Sequence, residues 1–201
     1  MGSILQNLQS TIIAGVVLAI VMIAVVVGWH GQGLEFDTNW WAFLLRWLHV
    51  LAGVMWIGLL WYFNFVQIPT MPKVPDELKP GISKHIAPAA LFWFRWGAMG
   101  TIVTGVILAL INGYFIDAVI IGLESGVARH TVIGIGMWLG AIMFFNVWFV
   151  IWPNQKKALG LVEADADTKK KAARTAMLFS RTNTLLSIPM LYAMVSAQNL
   201  Y

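Results

Sequence analysis

Long apolar runs alternate along the chain with short polar segments, and five runs reach the roughly 20 residues a helix needs to cross a bilayer. They occupy residues 12–29, 41–67, 88–113, 130–152 and 176–198. The first is rich in Val, Ile and Ala and carries no charge. Pro69 and Pro72 close the second and Pro153 the fourth, while Pro189 lies inside the fifth, where a kink is expected. The pattern predicts an all-α polytopic membrane protein: a five-transmembrane-helix bundle, one membrane domain over residues 1–201, without an internal repeat. The first run lacks the basic leader and Ala-x-Ala site of a signal peptide, so it reads as a retained helix.

Composition and charge sharpen this picture. The 201 residues are 59% hydrophobic and 11% charged, against about 25% charged in a soluble domain. With no cysteine, disulfides, iron–sulfur clusters, thiolate zinc sites and covalently attached haem are excluded. A redox role would need a non-covalent cofactor held by His or Met. The net charge of +4 does not point to nucleic acid, because the basic residues follow membrane topology. Lys73, Lys79 and Lys84 follow the second run, and Lys156, Lys157, Lys169, Lys170, Lys171 and Arg174 follow the fourth. The loops on the other side hold only Arg129. Positive loops stay inside, which puts the N-terminus in the cytoplasm and the C-terminus outside. Trp29, Trp40, Trp41 and Tyr114 then form an outer aromatic belt. Segment 161–175 reads as a cytoplasmic helix start, its acids preceding its bases as the helix dipole favours.

Few ionisable groups remain inside the spans, and each needs a partner. His49 has Ala52 and Gly53 one turn on, leaving space for a flat group against the backbone. It is either an axial ligand of a haem or a histidine hydrogen-bonded to a neighbouring helix. Arg46 shares its helical face nearer the outer surface, where it would meet haem propionates or reach outer phosphates. His130 opens the fourth span, with Gly134 one turn on, and is the best partner for His49 around a haem iron; His30 is the alternative second ligand. Zinc or copper is disfavoured because no carboxylates or thiols lie near to complete a shell. Arg95 and Arg181, both near the cytoplasmic edge, either reach inner headgroups or flank an anion. Asn64, Asn146 and Asn183 read as helix–helix hydrogen bonders.

Several stretches resemble a known family. They are Leu44-Leu-Arg-Trp-Leu-His-Val-Leu-Ala-Gly-Val-Met-Trp-Ile-Gly, the segment from His130 through Asn146-Val-Trp-Phe-Val-Ile-Trp-Pro-Asn-Gln-Lys-Lys, and Arg181-Thr-Asn-Thr-Leu-Leu-Ser-Ile-Pro-Met-Leu-Tyr. Phe92-Trp-Phe-Arg-Trp adds an aromatic–basic–Trp segment. Together, over about residues 40–198, they look like the N-terminal membrane domain of bacterial membrane-bound urate hydroxylases, the urate oxidase N-terminal domain. The His49 segment is also similar to haem-binding protoporphyrinogen oxidases and CopD-type copper proteins. The resemblance implies a haem b oxidoreductase module in the bacterial inner membrane that passes electrons to an outer-side, periplasmic cytochrome c. The c-type cytochrome domain that follows in the full-length family has no counterpart here, since the chain lacks Cys-x-x-Cys-His. The competing expectation is a non-catalytic accessory subunit of a respiratory or photosynthetic membrane complex. A solute or copper transporter is disfavoured by the lack of intramembrane carboxylates.

Overall fold

The computed structural model describes residues 2–30, 33 and 35–201, with side chains from Ile4 onward except that of His30. Beside one turn at Gly2–Leu5, the described residues form six helices and no strand. These are α1 (Leu8–His30), α2 (Thr38–Lys73), α3 (Lys79–Ile111), the short α4 (Phe115–Val119), α5 (Ala128–Ala158) and α6 (Ala166–Asn199). Residues 1–41 and 42–201 make two compact units. In the first, α1 is apolar on every side with none of its span buried, as a lipid-facing or partner-facing helix would be. By length and composition α1, α2, α3 and α5 can each cross a membrane.

Prolines do not end α2 and α5 where the sequence places their ends. Each helix passes through its proline by first widening into a π-helical turn, Tyr62–Gln67 in α2 and Asn146–Ile151 in α5. A third such turn, Ile82–Ile86, precedes Pro88 in α3. In all three the residue just before the proline donates its N–H five residues back: Ile68 to Phe63, Ala87 to Ile82 and Trp152 to Val147. A proline in an α-helix has no N–H for the carbonyl four residues back and collides with it. The wider turn moves that carbonyl aside, so α2 runs six residues beyond the expected Gln67 without a break. In α6, by contrast, Pro189 lies within a helix that stays α throughout.

Two short stretches of α2 and α5 are alike in sequence, in a register two residues apart from that of their π turns. Residues 55–66, Met-Trp-Ile-Gly-Leu-Leu-Trp-Tyr-Phe-Asn-Phe-Val, align without gaps on residues 137–148, Met-Trp-Leu-Gly-Ala-Ile-Met-Phe-Phe-Asn-Val-Trp. Met, Trp, Gly, Phe and Asn are identical, and the other pairs are mostly apolar. The expectation of no internal repeat is therefore corrected. The copies have diverged in packing, which explains why the pattern was missed. Trp56 is fully buried in the core, whereas its counterpart Trp138 is exposed and donates its Nε1–H to the Val119 carbonyl at 2.9 Å.

The core joins four helices: Trp56, Leu60 and Phe63 of α2, Leu91, Phe94 and Ala98 of α3, Met143, Val147 and Ile151 of α5, and Met190 of α6. Between α2 and α3 small residues bring the backbones together. A Cβ on Gly97 would stand 3.1 Å from the Trp56 nitrogen, and one on Gly100 would stand 3.3 Å from the Ala52 Cβ. α6 is organised the other way round from a soluble helix. Ser180, Asn183, Ser187 and Ser196 are buried, while Leu185, Ile188, Tyr192 and Val195 are at least 60% exposed. Its polar stripe is satisfied by neighbours. Asn64 Nδ2 donates to Ser180 Oγ at 2.7 Å, Asn146 Nδ2 to Asn183 Oδ1 at 2.8 Å, and Trp61 Nε1 to Ser187 Oγ at 3.1 Å. Asn183 completes the set by donating to the Met143 carbonyl at 2.9 Å. Both π turns thus send an asparagine to α6, as interhelical glue.

Two outcomes test this packing. Gly97→Ala pushes a methyl into the α2 backbone and is expected to cost about 1–3 kcal/mol, read as a lowered melting temperature in detergent. Gly53→Ala, where nothing lies within 4 Å of the added carbon, serves as the near-neutral control. At the start of α6, Asp165 caps the helix by accepting from the Thr168 backbone at 2.8 Å and from its hydroxyl at 2.6 Å, contacts that hold its carboxyl below the usual range. A lowered folded-state value stabilises the helix start above the ordinary carboxylate pKa and stops doing so as pH falls through the lowered value. Asp165→Ala should therefore speed amide exchange over residues 166–169 near neutral pH, with the difference from the native chain fading in acid.

Candidate functional site

His49 is half-buried on α2 and turned toward α3. Its Nδ1 lies 2.9 Å from the Thr101 carbonyl oxygen and 3.3 Å from Thr104 Oγ1. A carbonyl only accepts, so the ring proton sits on Nδ1. The Thr104 hydroxyl gives its own proton to the Gly100 carbonyl at 2.6 Å and presents a lone pair to the ring. Nε2 is left as the unprotonated nitrogen, with a free lone pair. Gly105 makes the contact possible, since a Cβ there would stand 2.8 Å from His49 Cε1. Only a glycine lets the imidazole reach a helix carbonyl four residues upstream.

His130 is held by different neighbours. Its Nδ1 lies 3.0 Å from Ser125 Oγ, a hydroxyl that can donate or accept, and 3.3 Å from the Asp117 carboxylate. The ring stacks on Tyr114 at 6.3 Å between centroids and 24° between planes. α4 supplies Asp117, and the loop that follows turns back through Ile121, a β-branched residue held at φ 56°, to present Ser125.

Tyr114 connects the two halves. It is half-buried, and burial raises its phenol pKa while the charges of Arg46 and Arg129 oppose the rise. Tyr114 thus stacks on His130 and also feels the charge of Arg46, one turn from His49. The sequence reads Tyr114 as a belt aromatic; its place just after α3 and three residues before Asp117 was the available signal. Arg129 also donates to Gln198 Oε1 at 3.1 Å, tying the start of α5 to the end of α6.

The small residues near the histidines divide in two. Ala52 is packed against Gly97 and Gly100, and Gly134 lies so close to the Ala118 carbonyl that no Cβ fits. Gly53 has nothing within 4 Å and remains open. The His30 side chain lies outside the described residues. Among the described residues no three His, Asp or Glu side chains gather to hold a bare metal ion. A cavity of about 130 Å³ lies at the opposite, lysine-rich end, lined by Tyr62, Gln67, Thr70 and Ile82 among others, and is far too small for a macrocycle.

The family model described as urate oxidase N-terminal matches residues 123–200. Over this stretch the chain is similar to that family. Its match takes in α5, α6, His130, Gly134 and the Asn146–Asn183 pair, whereas Arg46, His49, Ala52 and Gly53 precede it. No curated protein and no solved structure matches the chain.

Nitrogen-15 spectroscopy of the imidazoles checks the site directly. The expected signature for His49 at neutral pH is the Nδ1–H tautomer, shifting toward a mixture in Thr104→Val; a native Nε2–H tautomer contradicts the arrangement.

Proposed function

We propose that this urate oxidase N-terminal family chain is a haem-b-binding, five-span electron-transfer subunit of a bacterial inner membrane, passing electrons to a periplasmic cytochrome c. The observation that carries the reading is the state of His49: its Nδ1 proton is committed to the Thr101 carbonyl and its Nε2 lone pair is free. Histidines that bind metal through one nitrogen characteristically donate from the other to a carbonyl or carboxylate, which fixes the tautomer and strengthens the ligand. His130, with Ser125 Oγ and the Asp117 carboxylate beside its Nδ1, is the second ligand in this reading. The residues present therefore suit a bis-histidine haem better than a bare metal ion. Bound haem would supply reversible one-electron transfer whose potential the protein tunes through ligation, hydrogen bonding and burial.

The chain's own residues have distinct tasks in this reading. Thr101 and Thr104 orient the His49 ring, and Gly105 admits it. Gly53 keeps an open surface one turn away for a flat group. Arg46 supplies a cation for propionates beside Tyr114, in an outer region where no carboxylate neutralises it. For topology, α6 supports a fifth span through its inward polar stripe and outward apolar face, the arrangement an apolar solvent favours. Nine basic residues at the adjoining ends of α2 and α3 and of α5 and α6, against Arg129 alone opposite, support a cytoplasmic N-terminus and an outer C-terminus.

A second reading, an accessory subunit without a cofactor, is favoured by Ala52 and Gly134, whose space is taken by neighbouring helices. Optical spectra separate the two. The purified chain is expected to show a Soret band and sharp reduced α and β bands, lost in His49→Ala and weakened in His130→Ala. A colourless, folded preparation from haem-replete cells would refute the haem reading. Urate-dependent reduction of the bands tests urate as the electron donor.

A further inference from the structure

Arg95 carries a second function independent of the haem reading. Its guanidinium lies over the Trp152 indole, with Cζ 3.4 Å from the ring centroid, and Trp148 flanks it at 5.6 Å. Nε donates to the Leu91 carbonyl at 3.2 Å. The terminal nitrogens, with the other four N–H groups, have no acceptor among the described residues, and Arg95 forms no ion pair there. Lys156 Nζ stands 5.6 Å from the same indole centroid. The two cations are thus within about 9 Å of each other, and neither has a carboxylate partner among the described residues.

Like charges at that range repel, and the guanidinium is only partly solvated. An anion that engages both removes the repulsion and fills the empty donors. The depth specifies which anion. Arg95 is level with Trp152, one helical turn (about 6 Å) from Lys156, where the basic segment at the end of α5 begins. Phe92, Trp93 and Trp96 around it are each about half exposed, as aromatic side chains at a membrane interface are. A guanidinium fork presents paired N–H groups that match two phosphate oxygens.

We propose that Arg95 and Lys156, mounted on Trp152, bind the phosphodiester of an anionic phospholipid at the lysine-rich end of the bundle. The stack on Trp152 holds the guanidinium in place, so the site recognises a headgroup rather than merely attracting a charged surface.

The test uses the full chain, delipidated in neutral detergent and titrated with phosphatidylglycerol, phosphatidylcholine or inorganic phosphate, with native mass spectrometry reporting bound lipid and melting temperature reporting stabilisation. One phosphatidylglycerol should bind clearly more tightly than phosphatidylcholine. Arg95→Gln is expected to weaken it by about tenfold or more and Lys156→Gln by a smaller factor, as expected for losing a charge-assisted contact. Arg95→Lys, which keeps the charge but not the fork, should recover only part. Because Lys156 is peripheral to the core, Lys156→Gln keeps the test decisive if Arg95→Gln fails to fold. Unchanged phosphatidylglycerol binding in Lys156→Gln and in any folded Arg95 variant overturns the proposal. So does Arg95-dependent stabilisation by inorganic phosphate that equals that by the lipid, which would reassign the site to a free anion.

Discussion

Hydrogen bonding without water is the constraint on which this structure depends. In a bilayer each unpaired backbone or side-chain polar group costs several kcal/mol, and the fold answers at most places where the sequence creates one, leaving Trp56 Nε1, Asn64 Oδ1, Gln67 Oε1 and Trp148 Nε1 without partners among the described residues. Three prolines would each leave a carbonyl without its donor, and at each a π turn precedes the proline and supplies a bond five residues back. Asn64 and Asn146, carried on two of those turns, find acceptors on α6. The polar residues of α6 face inward because only the protein can satisfy them there.

The same rule shapes the candidate site. An imidazole inside a span must donate to something, and Gly105 opens a path to the Thr101 carbonyl. That bond commits one nitrogen and frees the other. In the haem reading proposed above, local polar satisfaction and ligand preparation are one interaction. His130 has a carboxylate and a hydroxyl beside it instead, in a loop where such groups are cheap to place. The helix contacts made by Ala52, Gly97 and Gly100 serve the site indirectly, by setting the close approach of α2 and α3 that brings the ring to the carbonyl.

Arg95 shows how the rule works without an acceptor in the protein. Its charge is spread over indole faces, one N–H returns to its own helix, and the remaining donors look outward. The polar interior and the lysine-rich rim thus use different partners for the same requirement.

Length, apolar runs and the paucity of charge were enough to establish an all-α membrane-type chain, because burying twenty-residue apolar stretches leaves no other economical solution. That His49, Arg46 and His130 each need a partner was also legible, since an ionisable group among apolar residues has to be explained. So was the pairing role of the three asparagines. Helix ends at the prolines were not, because the rule that proline stops a helix is local and the π turn that evades it is not visible in hydropathy. The likeness between residues 55–66 and 137–148 was hidden because the two stretches bury different faces, Trp56 inside and Trp138 outside. The family stretch 123–200 could be matched from sequence, yet the roles of Thr101, Thr104, Gly105 and Tyr114 could not. Each acts on a residue distant in the chain, and that proximity exists only after the helices have packed.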